Sequence, residues 1–209
     1  MLCHLSLRLE FHDSLRHEGY CPVHTESGLI YASNDWPLWC RSDLGSVVSP
    51  TVHDVKAIRA FFLAAWKQAG PEAFGWAGAT ENNIQEISSE AFISSLLSKP
   101  EAKVFAFSQD GRIVGIAVNR KMDESTVELA GIIVQQDAVG KGIGTALLKS
   151  AIASAKELGF LSMRVKTETN NQDAISFYRK NGFTELGIGE EEVEGKPVKV
   201  VNLTLSLKP

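Results

Sequence analysis

The chain has 209 residues, of which 44% are hydrophobic and 22% charged, with a formal net charge of −4. That is the make-up of a folded globular chain and excludes a disordered or fibrous one. It also argues against a nucleic-acid binder, which needs clustered Lys and Arg, and no window reaches the ~18 consecutive apolar residues of a membrane span.

Residues 1–46 differ from the rest. They hold all three cysteines (Cys3, Cys21, Cys40), four of the five histidines (His4, His12, His17, His24) and two of the four tryptophans, Trp36 and Trp39. Cys21 and His24 are spaced as C-x-x-H, but no second tight pair completes a tetrahedral zinc module, so no metal is expected. The segment reads as an extension that is poorly ordered or precedes the natural start. The N-terminus lacks a basic region followed by an apolar run, and three cysteines do not make a disulfide framework. A cytoplasmic location is the expectation.

From residue 47 the pattern is regular. Val47 and Val48 read as a short strand, and Thr51 with Asp54 forms a capping-box start. Val55, Ile58, Phe61, Phe62, Ala65 and Trp66 recur at helical spacing up to Gly70-Pro71. A loop containing FGWAGATENN leads to one further helix carrying Ile84, Ile87, Ala91 and Phe92, stopped by Pro100. Residues 103–107 and 113–118 alternate as strands around a Gln109-Asp110-Gly111 turn. A third strand, TVELAGIIV, carries Gly131 in its interior, where glycine often marks a bulge.

VGKGIGT follows, opening a helix that runs to Leu158 with Gly159 as its stop. LSMRVKT is a further strand, residues 172–181 a short helix before Gly182, and residues 183–186 and 198–207 are strands separated by an acidic loop over residues 189–195. The fold class is therefore α/β, with a mixed, mostly antiparallel central sheet and flanking helices.

Three glycines at alternate positions before a helix offer free backbone N–H groups and a positive helix end to a phosphate. The spacing is neither that of a P-loop nor of a dinucleotide fingerprint. Together with N-x-x-A-x-x-x-Y-x-x-x-G-F, formed by Asn171, Ala174, Tyr178, Gly182 and Phe183, it resembles the GNAT superfamily of N-acetyltransferases. That family's phosphate loop, [RQ]-x-x-G-x-[GA], is matched at Gly142 and Gly144. Its first position is Val139 here, and a proline common two residues after the strand is Gln136.

The resemblance covers residues 47–207 and implies the GNAT acyl-CoA N-acyltransferase fold. It implies acetyl-CoA as co-substrate, with its pyrophosphate at the backbone of Val139, Gly140, Lys141, Gly142, Ile143, Gly144 and Thr145. It also implies its pantetheine arm beside Ile132, Ile133 and Val134, and a cofactor contact from Asn171. Lys141 either adds charge there or is a solvated lysine. Tyr178 is implied as the general acid for the leaving thiolate, against a packing role. Glu128 and Glu168 are the candidate bases, each otherwise an exposed strand-end charge; some family members carry a base where this chain has Lys166. Glu81, Glu86 and Glu90 either attract a cation or form a solvated helix face.

With no cysteine in residues 47–209, the expected reaction is direct transfer to an amine-bearing acceptor, a small molecule or peptide, the acidic balance leaning towards a cationic one. A homodimer is compatible with this reading. The alternative is a non-catalytic acyl-CoA-binding module or sensor.

Overall fold

The computed structural model describes residues 21–25, 28–32, 45–70, 80–193 and 195–208. Strands β1 (Cys21–Thr25) and β2 (Gly28–Ala32) form a separate two-stranded antiparallel sheet. Cys3, His4, Cys40 and the FGWAGA part of the expected loop lie outside the described residues.

The rest is built on one seven-stranded sheet in the order β3-β4-β5-β6-β7-β9-β8. Its strands are β3 (Ser46–Val48), β4 (Ala102–Gln109), β5 (Arg112–Lys121), β6 (Thr126–Val134), β7 (Ser162–Glu168), β8 (Thr184–Val193) and β9 (Lys196–Ser206). All pairings are antiparallel except that of β6 with β7. The helices are α1 (Val55–Ala69), α2 (Glu81–Ile87), α3 (Glu90–Ser98), α4 (Ile143–Glu157) and α5 (Gln172–Lys180).

Local chemistry sets several boundaries. Thr51 and Asp54 form the expected capping box: the buried Asp54 carboxylate accepts from Thr51 N at 2.7 Å and from Thr51 Oγ1 at 3.1 Å. Asp54→Ala removes both bonds and strands the donors of the turn, so urea unfolding is expected to show a loss on the order of 2 kcal/mol. At the β4–β5 hairpin both Asp110 (φ 50) and Gly111 (φ 71) are left-handed, the two-residue turn that matches strand twist.

Two expectations are corrected. The single second helix is two, because Ser88 ends α2 and Ser89 Oγ accepts from Phe92 N at 3.1 Å, starting α3 anew. The restart resets the helical phase, so Ile93 is buried while Ala91 and Phe92 face outward. The acidic loop over residues 189–195 is mostly strand: β8 continues to Val193 and pairs Glu190 with Lys199, Glu191 with Val198 and Glu192 with Pro197. A sheet edge tolerates charged residues, and opposite charges across strands favour the pairing.

The core has two parts, one on each face of the sheet. On one face α4 and α5 place Leu147, Leu148, Ala151, Ala155 and Ile175 against Val127, Leu129, Met163, Val165 and Leu203. On the other, Ile58, Phe61, Phe62, Ile84 and Ile93 from α1–α3 cover Val104, Ala106, Ile113 and Ile116 of β4 and β5.

Candidate active site

The site begins with a short pairing. β6 and β7 share three register pairs, Thr126 with Ser162, Val127 with Met163 and Glu128 with Arg164. Beyond them the strands separate, so residues 129–134 keep β5 on one side and have no strand on the other among the described residues. Opposite Val118 and Asn119, the register jumps from Gly131 to Leu129, leaving Ala130 as an extra residue. This is the bulge that Gly131 signalled, and it bends β6 at the point of separation. Ile132, Ile133 and Val134, all half-buried, form the stretch beyond it.

The glycine loop sits at the end of that strand. Gln135–Ala138 make a short turn, then Gly140 (φ 80) and Gly142 (φ 81) take left-handed conformations, with Gly142 as the N-cap of α4. A Cβ on either would meet no atom within 4 Å, so what these glycines supply is backbone conformation and open approach. Among the described residues the N–H groups of Gly140, Lys141, Gly142, Ile143, Gly144 and Thr145 have no backbone partner; the first helical bond is Ala146 N to Gly142 O. This makes a six-donor cradle at a helix N-terminus, where free N–H groups and the helix dipole together can hold an anion.

Val139 is different: its side chain is 56% exposed and its N–H donates back to Gln136 O at 3.4 Å. The lysine at 141 is exposed. Where the resemblance leads one to expect proline, Gln136 N donates to Gln68 Oε1 at 3.1 Å, tying the loop to the last turn of α1.

α5 closes the site. An ideal Cβ on Gly144 would lie 3.7 Å from Phe177 and 3.9 Å from Val134, so α4, α5 and the open part of β6 converge there. Asn171 caps α5, its Oδ1 accepting from Ala174 N at 3.1 Å, which leaves the amide Nδ2 for any other contact. Tyr178 is buried, with its ring 5.3 Å from Phe177 and 5.4 Å from Phe183. Its hydroxyl has no hydrogen-bond partner among the described residues, and burial pushes the phenol up to about 12.

Both candidate bases are buried, at 7% exposure for Glu128 and 4% for Glu168, so neither is an exposed strand-end charge. They share the sheet face opposite Met163 and Val165, as strand alternation requires. Glu128 Oε2 accepts from Arg120 Nε at 3.0 Å and Nη2 at 2.5 Å. Lys166 Nζ lies 3.9 Å from Glu128 Oε1 and 2.7 Å from Glu191 Oε1. Glu81, Glu86 and Glu90 are all exposed, Glu81 accepting from Trp66 Nε1 at 3.0 Å, and none lines the cavity beside Glu128. Sequence reading missed Arg120, Arg164 and Asn202 here; alternation along LSMRVKT was the signal for Arg164.

Among the described residues no His/Cys/Asp/Glu cluster has a metal-binding arrangement. No helix among them is long and apolar enough to cross a membrane.

Comparison with known proteins gives a single answer. The sequence profile of the Acetyltransferase (GNAT) family matches residues 57–183. An uncharacterized N-acetyltransferase of Mycobacterium bovis is 32% identical over 127 residues, which span 61% of this chain and 78% of that protein. Peptidyl-lysine N-acetyltransferase YjaB of Escherichia coli is 32% identical over 72 residues, 34% of this chain and 46% of its own. Among crystal structures, the ribosomal-protein-S18-alanine N-acetyltransferase of Escherichia coli superposes with a TM-score of 0.61 at 20% identity, covering 79% of this chain and 96% of that one. PaiA N-acetyltransferase of Thermoplasma acidophilum, in complex with coenzyme A, gives 0.60 at 19% identity, with 78% and 98% covered. At those identities the two structures speak for the fold, while the profile spans more than half of the sequence: the chain belongs to the GNAT family of acetyltransferases.

Proposed function

We propose that this protein moves the acetyl group of acetyl-CoA directly to a primary amine. The observation that carries the reading is the junction of an unpaired β6 edge with the six-donor cradle of residues 140–145. A pyrophosphate suits the cradle, and an amide-bearing arm suits a strand edge with unsatisfied backbone groups. Acetyl-CoA supplies the thioester: the amine nitrogen forms a C–N bond to its carbonyl carbon, the C–S bond breaks, and an amide and a free thiol leave.

The chain's own groups have definable tasks. Backbone N–H groups beyond the bulge, near Ile132, stabilise developing negative charge on the carbonyl oxygen. Tyr178, whose phenol is protonated at neutral pH, holds the proton that the departing sulfur needs. The ammonium form of the acceptor must lose a proton before attack, and Glu168 and Glu128 are the buried carboxylates on the acceptor face. Glu128 is bonded to Arg120 and close to Lys166, and either carboxylate can take that proton, directly or through water.

Release of free thiol from acetyl-CoA, measured against a panel of amines and peptides, is expected to require both co-substrate and acceptor. Tight CoA binding with no release for any acceptor would instead establish a non-catalytic acyl-CoA-binding module.

A further inference from the structure

On the sheet face that α1–α3 leave uncovered, a cavity of about 250 Å³ starts at the register pair where β6 and β7 part. Its charged floor is Glu128, Arg164 and Lys166; Asn202 of β9 lies across from Lys166 and Gly187 of β8 across from Asn202. The absence of a side chain at Gly187 keeps that row low.

Three cations stand on this floor or at its edge: Arg120, Arg164 and Lys166. Arg120 is held by Glu128, and Lys166 lies between Glu128 and Glu191. Arg164 stands directly opposite Glu128 in register, yet has no ion-pair or hydrogen-bond partner among the described residues, because that carboxylate is already engaged. The Asn202 side chain has no partner among them either. One guanidinium and one carboxamide without a partner among the described residues therefore line the same cavity.

The cavity also carries exposed apolar side chains. Met122 is 47% exposed and Leu186 57%. Large apolar side chains left in water around a charged floor mark a surface that a ligand covers.

We infer that this cavity selects the acceptor, and that the acceptor is a small amino carboxylate whose carboxylate binds Arg164 and Asn202 and whose apolar side chain lies against Met122 and Leu186. A planar guanidinium matches a carboxylate in a paired geometry that an ammonium group cannot form. A dication meets the opposite: Arg164 repels it, and the nearest carboxylates are neutralised. The whole-chain charge of −4 does not describe this face. The inference rests on the acetyl-transfer reading for its chemistry, but not for its binding geometry.

The test compares amino acids with their decarboxylated amines, for example L-methionine, L-leucine and L-phenylalanine against the corresponding alkylamines and phenethylamine. Free-thiol release gives kcat/KM for each pair, in the full chain and in Arg164→Gln. The wild type is expected to favour the amino acid by at least about tenfold, the worth of a charge-assisted hydrogen bond, and Arg164→Gln to collapse the ratio towards one. Equal rates for both members of a pair in the wild type, or a ratio unchanged in Arg164→Gln, overturns the inference and leaves acetyl transfer standing. No release with any acceptor overturns acetyl transfer instead. In that case the thermal shift given by the same amino acids decides the binding claim. A shift in the wild type that is absent in Arg164→Gln upholds the site; no shift in the wild type removes it.

Discussion

Tyr178→Phe is expected to lower turnover by about 10²- to 10⁴-fold, the range for loss of a positioned general acid, while CoA affinity stays nearly the same. The substitution keeps the ring between Phe177 and Phe183 and removes a hydroxyl that has no partner among the described residues. Folding stability at neutral pH should therefore hold, and a drop in turnover would belong to the chemistry.

The same variant has a second readout. Burial raises the folded-state phenol from 10.0 to about 12, so the associated stability is complete below pH 10 and is lost as pH rises through about 12. Over that window the wild type should lose on the order of 3 kcal/mol relative to Tyr178→Phe, measured by urea unfolding at each pH. Turnover in Tyr178→Phe equal to wild type would remove the hydroxyl from the mechanism. Parallel pH–stability curves would show instead that the phenol ionises without having to leave the core.

Gly115→Val should have the largest effect on folding. Gly115 lies on β5 under α4, and a Cβ there would come within 2.9 Å of both Ile143 Cγ2 and Leu147 Cδ1 and 3.4 Å of Ile133 O. The missing side chain is what lets α4 lie close to the sheet and brings its N-terminus to the end of β6. A valine must push those side chains off their rotamers or lift the helix, with an expected loss of about 3 kcal/mol in urea unfolding. Leu147 is fully buried, and Leu147→Ala alone should cost about 2–5 kcal/mol by leaving a cavity. Because the two changes act on the same space, the double variant should be more stable than the sum of the single effects predicts. Strict additivity would mean that α4 does not depend on Gly115 for its seat. CoA binding should weaken in Gly115→Val, since the six-donor cradle moves with the helix it caps.

Most elements were readable because their signals are local. The capping box at Thr51 and Asp54, the Asp110-Gly111 turn and the glycines before α4 each declare themselves within a few residues. The Ser88–Ser89 break was not readable, since two serines inside an apolar-periodic run look like tolerated helix residues until Ser89 is seen accepting from Phe92 N. The length of β8 was hidden for a different reason. Glu190, Glu191 and Glu192 read as a loop on composition, and only pairing with β9, which the turn at Gly195 brings back alongside, makes them strand. The cavity beside Glu128 draws on four strands, so no segment of sequence could place Arg164 beside Asn202. What the sequence did carry was the alternation that sets Arg164, Lys166 and Glu168 apart from Met163 and Val165.

The three register pairs between β6 and β7 have one more consequence. They join β3–β6 to β7–β9–β8 by a seam only three residues long, lying on an apolar spine that continues beneath both halves through Leu129, Met163, Val165 and Leu203. The molecule is thus a book bound on one side. A ligand pairing with the open part would complete the missing rungs between the pages, and each occupied rung would raise the free energy needed to part them. A ligand paired there would thereby become a structural member of the sheet.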